Sequence, residues 1–157
     1  MEKTEKEFEK SKVIVRNFRI EDLSRVIKIA EETLTERYSI DIYYSIYNSW
    51  PRGFIVAELN NDVIGFLASM RLSLFEARIL IFSVDPSYQN RGVGSLLLKK
   101  FEDLCREERI KGIRLEVRIS NSNAIQFYEK RGFIIMSILR NYYSNGESAY
   151  VMWKMVD

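Results

Sequence analysis

The most specific chemical feature of the sequence is a glycine-containing loop, Gln89-Asn90-Arg91-Gly92-Val93-Gly94, between a hydrophobic segment and an amphipathic one. Glycines at a helix start let a ligand approach the backbone, and the unpaired N–H groups of the first turn bind anions with help from the helix dipole. The loop lacks the Gly-Lys-Ser/Thr ending of a P-loop, and Leu97 stands where a dinucleotide fingerprint has its third glycine. The spacing therefore predicts a diphosphate site of another kind, with a plain strand-to-helix turn as the alternative.

The acid–base chemistry open to this protein is limited, because the sequence contains no histidine. This excludes Ser-His-Asp and Cys-His catalysis and most transition-metal sites, so protons must be handled by carboxylates, tyrosine, lysine or the backbone. The single cysteine, Cys105, allows no intramolecular disulfide, and its place on a predicted helix after Phe101 is typical of a small buried side chain. These features predict a cytoplasmic location.

Length and charge restrict the class of protein. The 157 residues fit one domain, which we place at residues 12–157, after a charged, solvated tail at residues 1–11. The net charge of +2 is too balanced for a protein that binds nucleic acid through its phosphates. The apolar runs are short, which predicts neither a membrane span nor a signal peptide.

Hydrophobic periodicity predicts the element order β α α β β β α β α β β. The predicted strands are residues 12–18, 54–59, 63–72, 77–84, 113–119, 133–143 and 147–155, and the predicted helices are residues 23–34, 40–50, 92–108 and 121–131. Asp22 is predicted to cap the first helix, and Ser144-Asn145-Gly146 to turn the last hairpin. The pattern indicates an α+β domain with an antiparallel meander before the glycine loop.

A second group of residues follows the loop at a fixed spacing: Asn121, Ala124, Tyr128, Gly132 and Phe133. Together with residues 89–94, this pattern resembles the acetyl-CoA-binding core of the GCN5-related N-acetyltransferase (GNAT) family, and the resemblance extends over residues 12–156. It implies a mixed, mostly antiparallel sheet flanked by helices, acetyl-CoA as the donor and no metal. It also implies direct transfer, in which a free amine attacks the thioester carbonyl and the coenzyme leaves as a thiolate.

Within this family, three segments are similar to the N-terminal protein acetyltransferases. They are Leu115-Glu116-Val117-Arg118, which RimI shares, the hairpin at residues 142–150, and Leu-Thr-Glu-Arg-Tyr at residues 34–38 followed by Ser49-Trp50-Pro51. The last is closer still to archaeal and eukaryotic NatA-type catalytic subunits, which usually read Leu-Pro-Glu-Asn-Tyr, so Thr35 and Arg37 are departures. The likeness implies acetylation of the α-amino group of protein N-termini, ribosomal proteins included. NatA-type catalytic subunits often work with a larger helical partner, so two arrangements stay open: a complex with such an auxiliary subunit, or a chain that acts alone as a monomer or a dimer.

Two other functions remain open. One is a small-molecule amine acetyltransferase for polyamines or amino sugars, and the other is an inactive module that binds coenzyme A or a partner. An α-amine has a pKa of about 8 and is partly neutral at cellular pH, whereas a lysine side chain, at about 10.4, demands more from a base. The missing histidines therefore favour N-terminal amines as substrates.

The resemblance implies three catalytic residues. Glu116 is the first candidate base, directly or through a water, although strand alternation alone favours a solvated ion-pair row with Arg114 and Arg118. Glu36 is the second candidate base, with an exposed carboxylate near a helix end as its alternative. Tyr128 is the implied general acid for the departing sulfur, with a buried core aromatic as its alternative.

The resemblance also implies two sets of binding residues. Coenzyme contacts are expected from the strand end before the loop, the loop itself and the later strand-to-helix corner: Phe82, Ser83, Val84, Gln89, Asn90, Arg91, Gly92, Val93, Gly94, Ser95, Asn121, Ala124 and Tyr128. Peptide contacts are expected from Leu34, Glu36, Tyr38, Tyr142 and Tyr143. The alternative role for Asn121 is a helix cap, and that for the paired tyrosines is a place in a strand.

Overall fold

The chain forms a mixed sheet with helices packed on both faces. The computed structural model describes residues 8–157. Its strands are β1 (Ile14–Asn17), β2 (Phe54–Leu59), β3 (Asp62–Arg71), β4 (Glu76–Val84), β5 (Gly112–Arg118), β6 (Ile134–Leu139) and β7 (Ala149–Met155). Its α-helices are α1 (Leu23–Thr33), α2 (Ile40–Ser49), α3 (Val93–Glu107) and α4 (Ser122–Glu129). The predicted element order and the α+β class are confirmed.

The sheet opens between β4, its central strand, and the neighbouring β5. The strand order is β1-β2-β3-β4-β5-β7-β6, and within the described chain only β4 and β5 pair in parallel. Their ladder covers just residues 76–78 of β4 and 112–114 of β5. Because β4 continues to Val84 and β5 to Arg118, the strands diverge beyond the ladder and each leaves a backbone edge facing the opening. A bulge in β4 lies beside this region: consecutive β3 residues Ala68 and Ser69 pair with Ile81 and Ile79, so Leu80 is left over, and bulges increase the local twist.

Alternating side chains of the sheet build two cores, one on each face. From β2, Phe54 and Val56 join the core that contains α1 and α2, whereas Ile55 and Ala57 join the core that contains α3. Strands buried on both faces are near-continuous apolar runs in sequence, which is why residues 54–84 looked like core strands. The apolar stripe of α3 covers one of these faces.

Asp22 precedes α1 as predicted, but its side chain does not cap that helix. Its backbone angles are helical (φ −80°, ψ −12°), whereas a capping residue needs an extended backbone. The carboxylate instead accepts hydrogen bonds from the Arg19 N–H (2.8 Å) and from the Arg16 guanidinium (2.8 and 2.9 Å). The predicted capping interaction is therefore wrong.

The last hairpin has shorter strands than predicted. The ladder between β6 and β7 ends at Leu139 opposite Ala149, which leaves a loop at residues 140–148. Asn141 in this loop has a φ of 51°, which is incompatible with a continuing strand. The predicted turn is present within the loop, closed by a hydrogen bond from the Gly146 N–H to the Tyr143 carbonyl (2.8 Å).

Part of the predicted tail packs on the domain. Residues 1–7 lie outside the described residues. Phe8 is half-buried, with its ring centroid 6.0 Å from that of Tyr88, and Lys10–Lys12 form a 3₁₀ turn before β1. The charged neighbours of Phe8 predict a fully solvated tail. Phe8 differs from this prediction because its ring packs on an apolar surface of the domain.

Residues 8–157 contain neither a membrane-spanning helix nor a metal-binding cluster. None of the helices there combines the length and the apolar character that a membrane crossing requires. No cluster of three or more side chains suited to hold a metal ion occurs in that range.

Candidate active site

The divergence of β4 and β5 opens a cleft of about 370 Å³. Its walls come from the two strand ends, the α1–α2 loop, α4 and the β6–β7 loop. The site residues predicted from sequence that line it are Leu34, Glu36, Tyr38, Phe82, Glu116, Asn121, Ala124, Tyr128 and Tyr143. The fold therefore brings candidates from well-separated segments into one space.

Tyr128 forms part of the cleft wall from α4. It is 9% exposed, and its ring packs edge-on against Phe133 with centroids 5.4 Å apart. Its hydroxyl has no hydrogen-bond partner among residues 8–157 and is not sealed from the cleft, so a ligand can reach it. Burial raises the pKa of Tyr128 far above its ordinary value. The phenol is therefore protonated at neutral pH and can donate a proton but not abstract one.

Glu116 lies on the cleft side of β5, with a side chain only 6% exposed. Its Oε1 accepts a hydrogen bond from Arg114 Nε (3.0 Å) and its Oε2 accepts one from Arg78 Nε (2.9 Å). The predicted pairing with Arg114 is present, but the group is buried rather than solvated, and Arg78 of β4 takes the place expected for Arg118. Each oxygen of Glu116 therefore already accepts one hydrogen bond from an arginine, and only the second lone pair of each is left for a substrate.

Glu36 enters the cleft from the α1–α2 loop and is held by Arg118 of β5. The Arg118 Nε donates to Glu36 Oε1 (2.5 Å), its Nη1 donates to Glu147 Oε2 (2.9 Å), and its guanidinium stacks 3.9 Å from the Tyr143 ring centroid. Glu36 Oε2 has no hydrogen-bond partner within the described chain, and the side chain is 23% exposed. Glu36 thus retains a carboxylate oxygen that is free to accept a proton.

Tyrosines border the cleft near Glu36. Tyr38 and Tyr143 line it directly. Burial and the nearby Glu36 carboxylate raise the pKa of Tyr38 to about 12, so its hydroxyl stays protonated. Tyr142 lies beside the cleft rather than in its wall, since it is 43% exposed and its hydroxyl accepts a hydrogen bond from Arg78 Nη2 (3.0 Å).

The glycine loop begins α3, as the sequence predicts. Gly92 has a φ of +85°, a left-handed conformation that favours glycine. The backbone N–H groups of Val93, Gly94 and Ser95 have no acceptor among residues 8–157. The first bond that closes the helix runs from the Leu96 N–H to the Gly92 carbonyl (3.1 Å). Free N–H groups at the positive end of a 15-residue helix fit a diphosphate.

At the end of β4, before the glycine loop, some hydrogen-bonding groups already have partners within the protein. The Ser83 hydroxyl hydrogen-bonds to Thr33 of α1, and the Val84 carbonyl accepts a hydrogen bond from the Gln89 side-chain amide (3.0 Å). Phe82 differs from Ser83 and Val84 because its side chain lines the cleft. The Gln89 contact ties the loop back to β4 and fixes the approach to α3.

Two asparagines among the predicted coenzyme residues shape turns. Asn121 caps α4, since its Oδ1 accepts a hydrogen bond from the Ala124 N–H (3.2 Å), and it also lines the cleft. Asn90 has a left-handed φ of 61° two residues before Gly92. Asn121 is therefore a helix cap, as the alternative predicted, and it is also part of the cleft wall.

Arginines that sequence reasoning did not assign to the site connect its parts. Arg118 joins the loops on opposite sides of the cleft, Arg78 engages Glu116, and Arg131 donates through Nε to the Ser95 hydroxyl (3.1 Å) at the start of α3. Alternation along β5 places Arg118 on the face of Glu116, but it gives no sign of the contacts to Glu36 and Glu147. No local pattern could have found Arg78 or Arg131, because their partners lie on other elements.

Comparisons with known proteins agree with this architecture. The chain matches the model of the acetyltransferase (GNAT) family over residues 23–133. The putative [ribosomal protein bS18]-alanine N-acetyltransferase of Bacillus subtilis is 31% identical over 150 residues, which cover 94% of this chain and 99% of that protein.

Solved structures give the same result. The crystal structure of Ard1 from Thermoplasma volcanium matches with a TM-score of 0.91 and 41% identity, covering 93% of this chain and 99% of that one. Arabidopsis thaliana Naa50 in complex with the bisubstrate analogue CoA-Ac-MVNAL matches with a TM-score of 0.82 and 28% identity, covering 91% and 98%. The family and fold that the sequence motifs implied are confirmed, and the chain belongs to the acetyltransferase (GNAT) family.

Proposed function

We propose that this protein transfers the acetyl group of acetyl-CoA to the α-amino group of protein N-termini, with residues 12–157 as the catalytic domain. The observation that carries the proposal is the cleft, where a free tyrosine hydroxyl and a free carboxylate oxygen face the same space between β4 and β5. The names of relatives point to the same reaction, namely an alanine N-acetyltransferase and a Naa50 bound to an analogue that joins CoA to a peptide.

The coenzyme end of the site is the start of α3. The free N–H groups of Val93, Gly94 and Ser95 would hold the diphosphate, since a helix N-terminus stabilises negative charge. From there the open edge of β4 leads toward the cleft, past Phe82 on one side and Asn121 on the other. Acetyl-CoA supplies the chemistry of an acyl thioester, which an amine can attack without a covalent enzyme intermediate.

Tyr128 is the proposed general acid. Its hydroxyl is protonated, has no hydrogen-bond partner in the described part of the chain and reaches the cleft, so it can donate to a sulfur that becomes negatively charged. The rings of Phe127 and Phe133 pack against the Tyr128 ring and hold this donor in place at the cleft wall.

Glu36 is the proposed principal base, acting directly or through a water. Its Oε2 is free of partners among residues 8–157, while Arg118 holds its Oε1 and fixes the direction of the carboxylate. Glu116, the first candidate from sequence, is proposed as a positioning residue, because Arg78 and Arg114 occupy both of its oxygens. A mild base suffices, since an α-amine of pKa about 8 is partly neutral already.

The peptide end of the site is the tyrosine-bordered mouth of the cleft. Leu34 and Tyr38 approach from the α1–α2 loop, and Tyr143 approaches from the β6–β7 loop. Tyrosines offer flat apolar area with a polar tip, which suits the first residues of an extended peptide. Tyr142 extends this surface outside the cleft.

The assay that tests the function offers acetyl-CoA with peptides that begin with Ser, Ala or Met, and follows the acetylated product by mass spectrometry. The same peptides with blocked N-termini and free spermidine serve as competing acceptors. Acetylation of unblocked peptides only is the expected result. Product from spermidine alone would assign the protein to small-molecule amines, and coenzyme binding without any product would indicate an inactive module.

A further inference from the structure

The segment before β1 lies against the glycine loop. The Phe8 ring packs 6.0 Å from the Tyr88 ring, and the Arg91 guanidinium lies over Phe8 at 5.2 Å. These contacts place the 3₁₀ turn Lys10–Lys12 next to the start of α3. Basic side chains from outside the family's motifs are therefore held close to the proposed diphosphate site.

Lys10 extends along Gly92 itself. Its Nζ lies 2.9 Å, and its Cε 3.0 Å, from the position that a Cβ on Gly92 would occupy. No carboxylate of residues 8–157 lies within ion-pair distance of Lys10, whereas the nearby Lys12 Nζ pairs with Glu9 (3.5 Å). An ammonium group thus stands beside the free N–H groups that open α3.

We propose that Lys10 binds the diphosphate of coenzyme A together with the N-terminal turn of α3, an inference that rests on the acetyl-CoA-dependent function proposed above. The helix start offers only partial positive charges, equivalent to about half an elementary charge, to a doubly charged diphosphate. The Lys10 ammonium adds a full positive charge on a flexible side chain, and it can donate a hydrogen bond to a phosphate oxygen. The left-handed φ of Gly92 already favours glycine there, and the Lys10 side chain lies in the space beside it that a Cβ would take.

The test is calorimetric titration of coenzyme A into the wild-type protein and into Lys10→Gln, which removes the charge. The dissociation constant is expected to rise about five- to tenfold in Lys10→Gln and to stay near wild type in Lys10→Arg. The KM for acetyl-CoA should rise in parallel, while kcat at saturating acetyl-CoA is unchanged.

Lys12→Gln is the matched control, since it makes the same charge change in the same 3₁₀ turn at a lysine that pairs with Glu9. Its coenzyme affinity is expected to equal that of the wild type. The ratio between the Lys10→Gln and wild-type constants should shrink from about 50 mM to about 500 mM salt, because salt screens an exposed charge. A merely structural effect of the substitution would not follow the salt concentration.

The outcomes separate the inference from the function on which it rests. The dissociation constants of wild type and Lys10→Gln are also measured with 3′-dephospho-CoA, which keeps the diphosphate. The same ratio between the two constants as with coenzyme A supports the diphosphate contact, and a ratio near one overturns it. Equal or tighter binding by Lys10→Gln, or an equal loss in Lys12→Gln, overturns the role of Lys10 but leaves the proposed function standing. A wild-type protein that binds no coenzyme A would overturn both.

Discussion

Tyr128 is the residue whose substitution separates chemistry from binding. Tyr128→Phe removes one oxygen and keeps the ring that packs against Phe133. Because the hydroxyl is the proposed proton donor, kcat should fall about 100-fold. Coenzyme affinity should be nearly unchanged, since no other side chain depends on that hydroxyl within the described chain.

Steady-state kinetics at saturating acetyl-CoA, together with calorimetric titration of coenzyme A, measure the two effects. Tyr44→Phe on α2, a tyrosine that is 39% exposed, is the matched control and should behave as wild type. Weakened coenzyme binding with a normal kcat would contradict the role of Tyr128 as general acid.

Glu36 and Glu116 both face the cleft, but their surroundings predict different responses to loss of charge. Glu36→Gln removes the free oxygen from the cleft, so kcat should fall about 100-fold. Its melting temperature should fall less than that of Glu116→Gln, because Glu36 pairs with one arginine and is 23% exposed, whereas Glu116 pairs with two and is 6% exposed. Glu116→Gln breaks charged hydrogen bonds to Arg78 and Arg114, so the melting temperature should fall, with a loss of about 1–3 kcal/mol.

Kinetics and thermal denaturation of both variants, made in parallel, measure this difference. The reverse pattern, with the large loss of kcat in Glu116→Gln, would make Glu116 the base. Wild-type rates in both variants would mean that neither carboxylate takes the proton.

At the scale of the elements, the start of α3 can be tested with two glycines of the same conformation. Gly92 has a φ of +85° and Gly146 in the β6–β7 loop has a φ of +86°. An alanine at either position costs about 1–2 kcal/mol of left-handed strain, so both variants should lose similar stability. Coenzyme affinity should fall only in Gly92→Ala, because a Cβ at Gly146 meets no atom within 4 Å and lies far along the chain from α3.

Thermal denaturation and coenzyme titration of the two variants supply the comparison. Equal affinities in Gly92→Ala and Gly146→Ala would show that the loop conformation does not contribute to coenzyme binding.

The elements were predictable where the periodic pattern of a segment determines which of its side chains are buried. They were less predictable where a side chain's place depends on a residue of another element. Alternation along β5 placed Leu115 and Glu116 on opposite faces correctly, because a strand has only two faces, but it did not predict that the Glu116 side chain is buried as well. The same pattern could not identify Arg78, since it sits on the parallel neighbour β4. Asp22 has the residue type and position of a cap, but Arg16 competes for its carboxylate.

At the scale of the whole molecule, the site combines residues from the two faces of the sheet. Glu36 comes from the loop after α1, on one face of the sheet, and Tyr128 belongs to the core on the other face. The opening between β4 and β5 is what lets both reach a common space. The auxiliary subunit, the oligomeric state and the cytoplasmic location stay predictions, because contacts within one chain do not bear on them.

The attachment of α1 to the sheet predicts how the whole fold responds to acid. Arg16 of β1 is within hydrogen-bond distance of both Asp22, in the turn before α1, and Glu58 of β2. Burial by itself raises the pKa of Asp22, but the hydrogen bonds from Arg16 and the Arg19 N–H outweigh it and hold the pKa below its ordinary value. The carboxylate therefore stabilises the fold fully above a pH of about 4, and this contribution is lost as the pH falls through the folded-state pKa.

Asp22→Asn should accordingly lower stability by about 1–3 kcal/mol at neutral pH, which corresponds to several degrees in melting temperature. Thermal denaturation from pH 7 down to about pH 3 measures the difference between wild type and variant, which should shrink as Asp22 becomes protonated in the wild type. Asp103→Asn is the control, because Asp103 on α3 pairs with Arg106 (3.1 Å) but is 48% exposed, so its loss should matter little at any pH. A difference for Asp22→Asn that is as large at pH 3 as at pH 7 would mean that the carboxylate's charge does not hold α1 to the sheet.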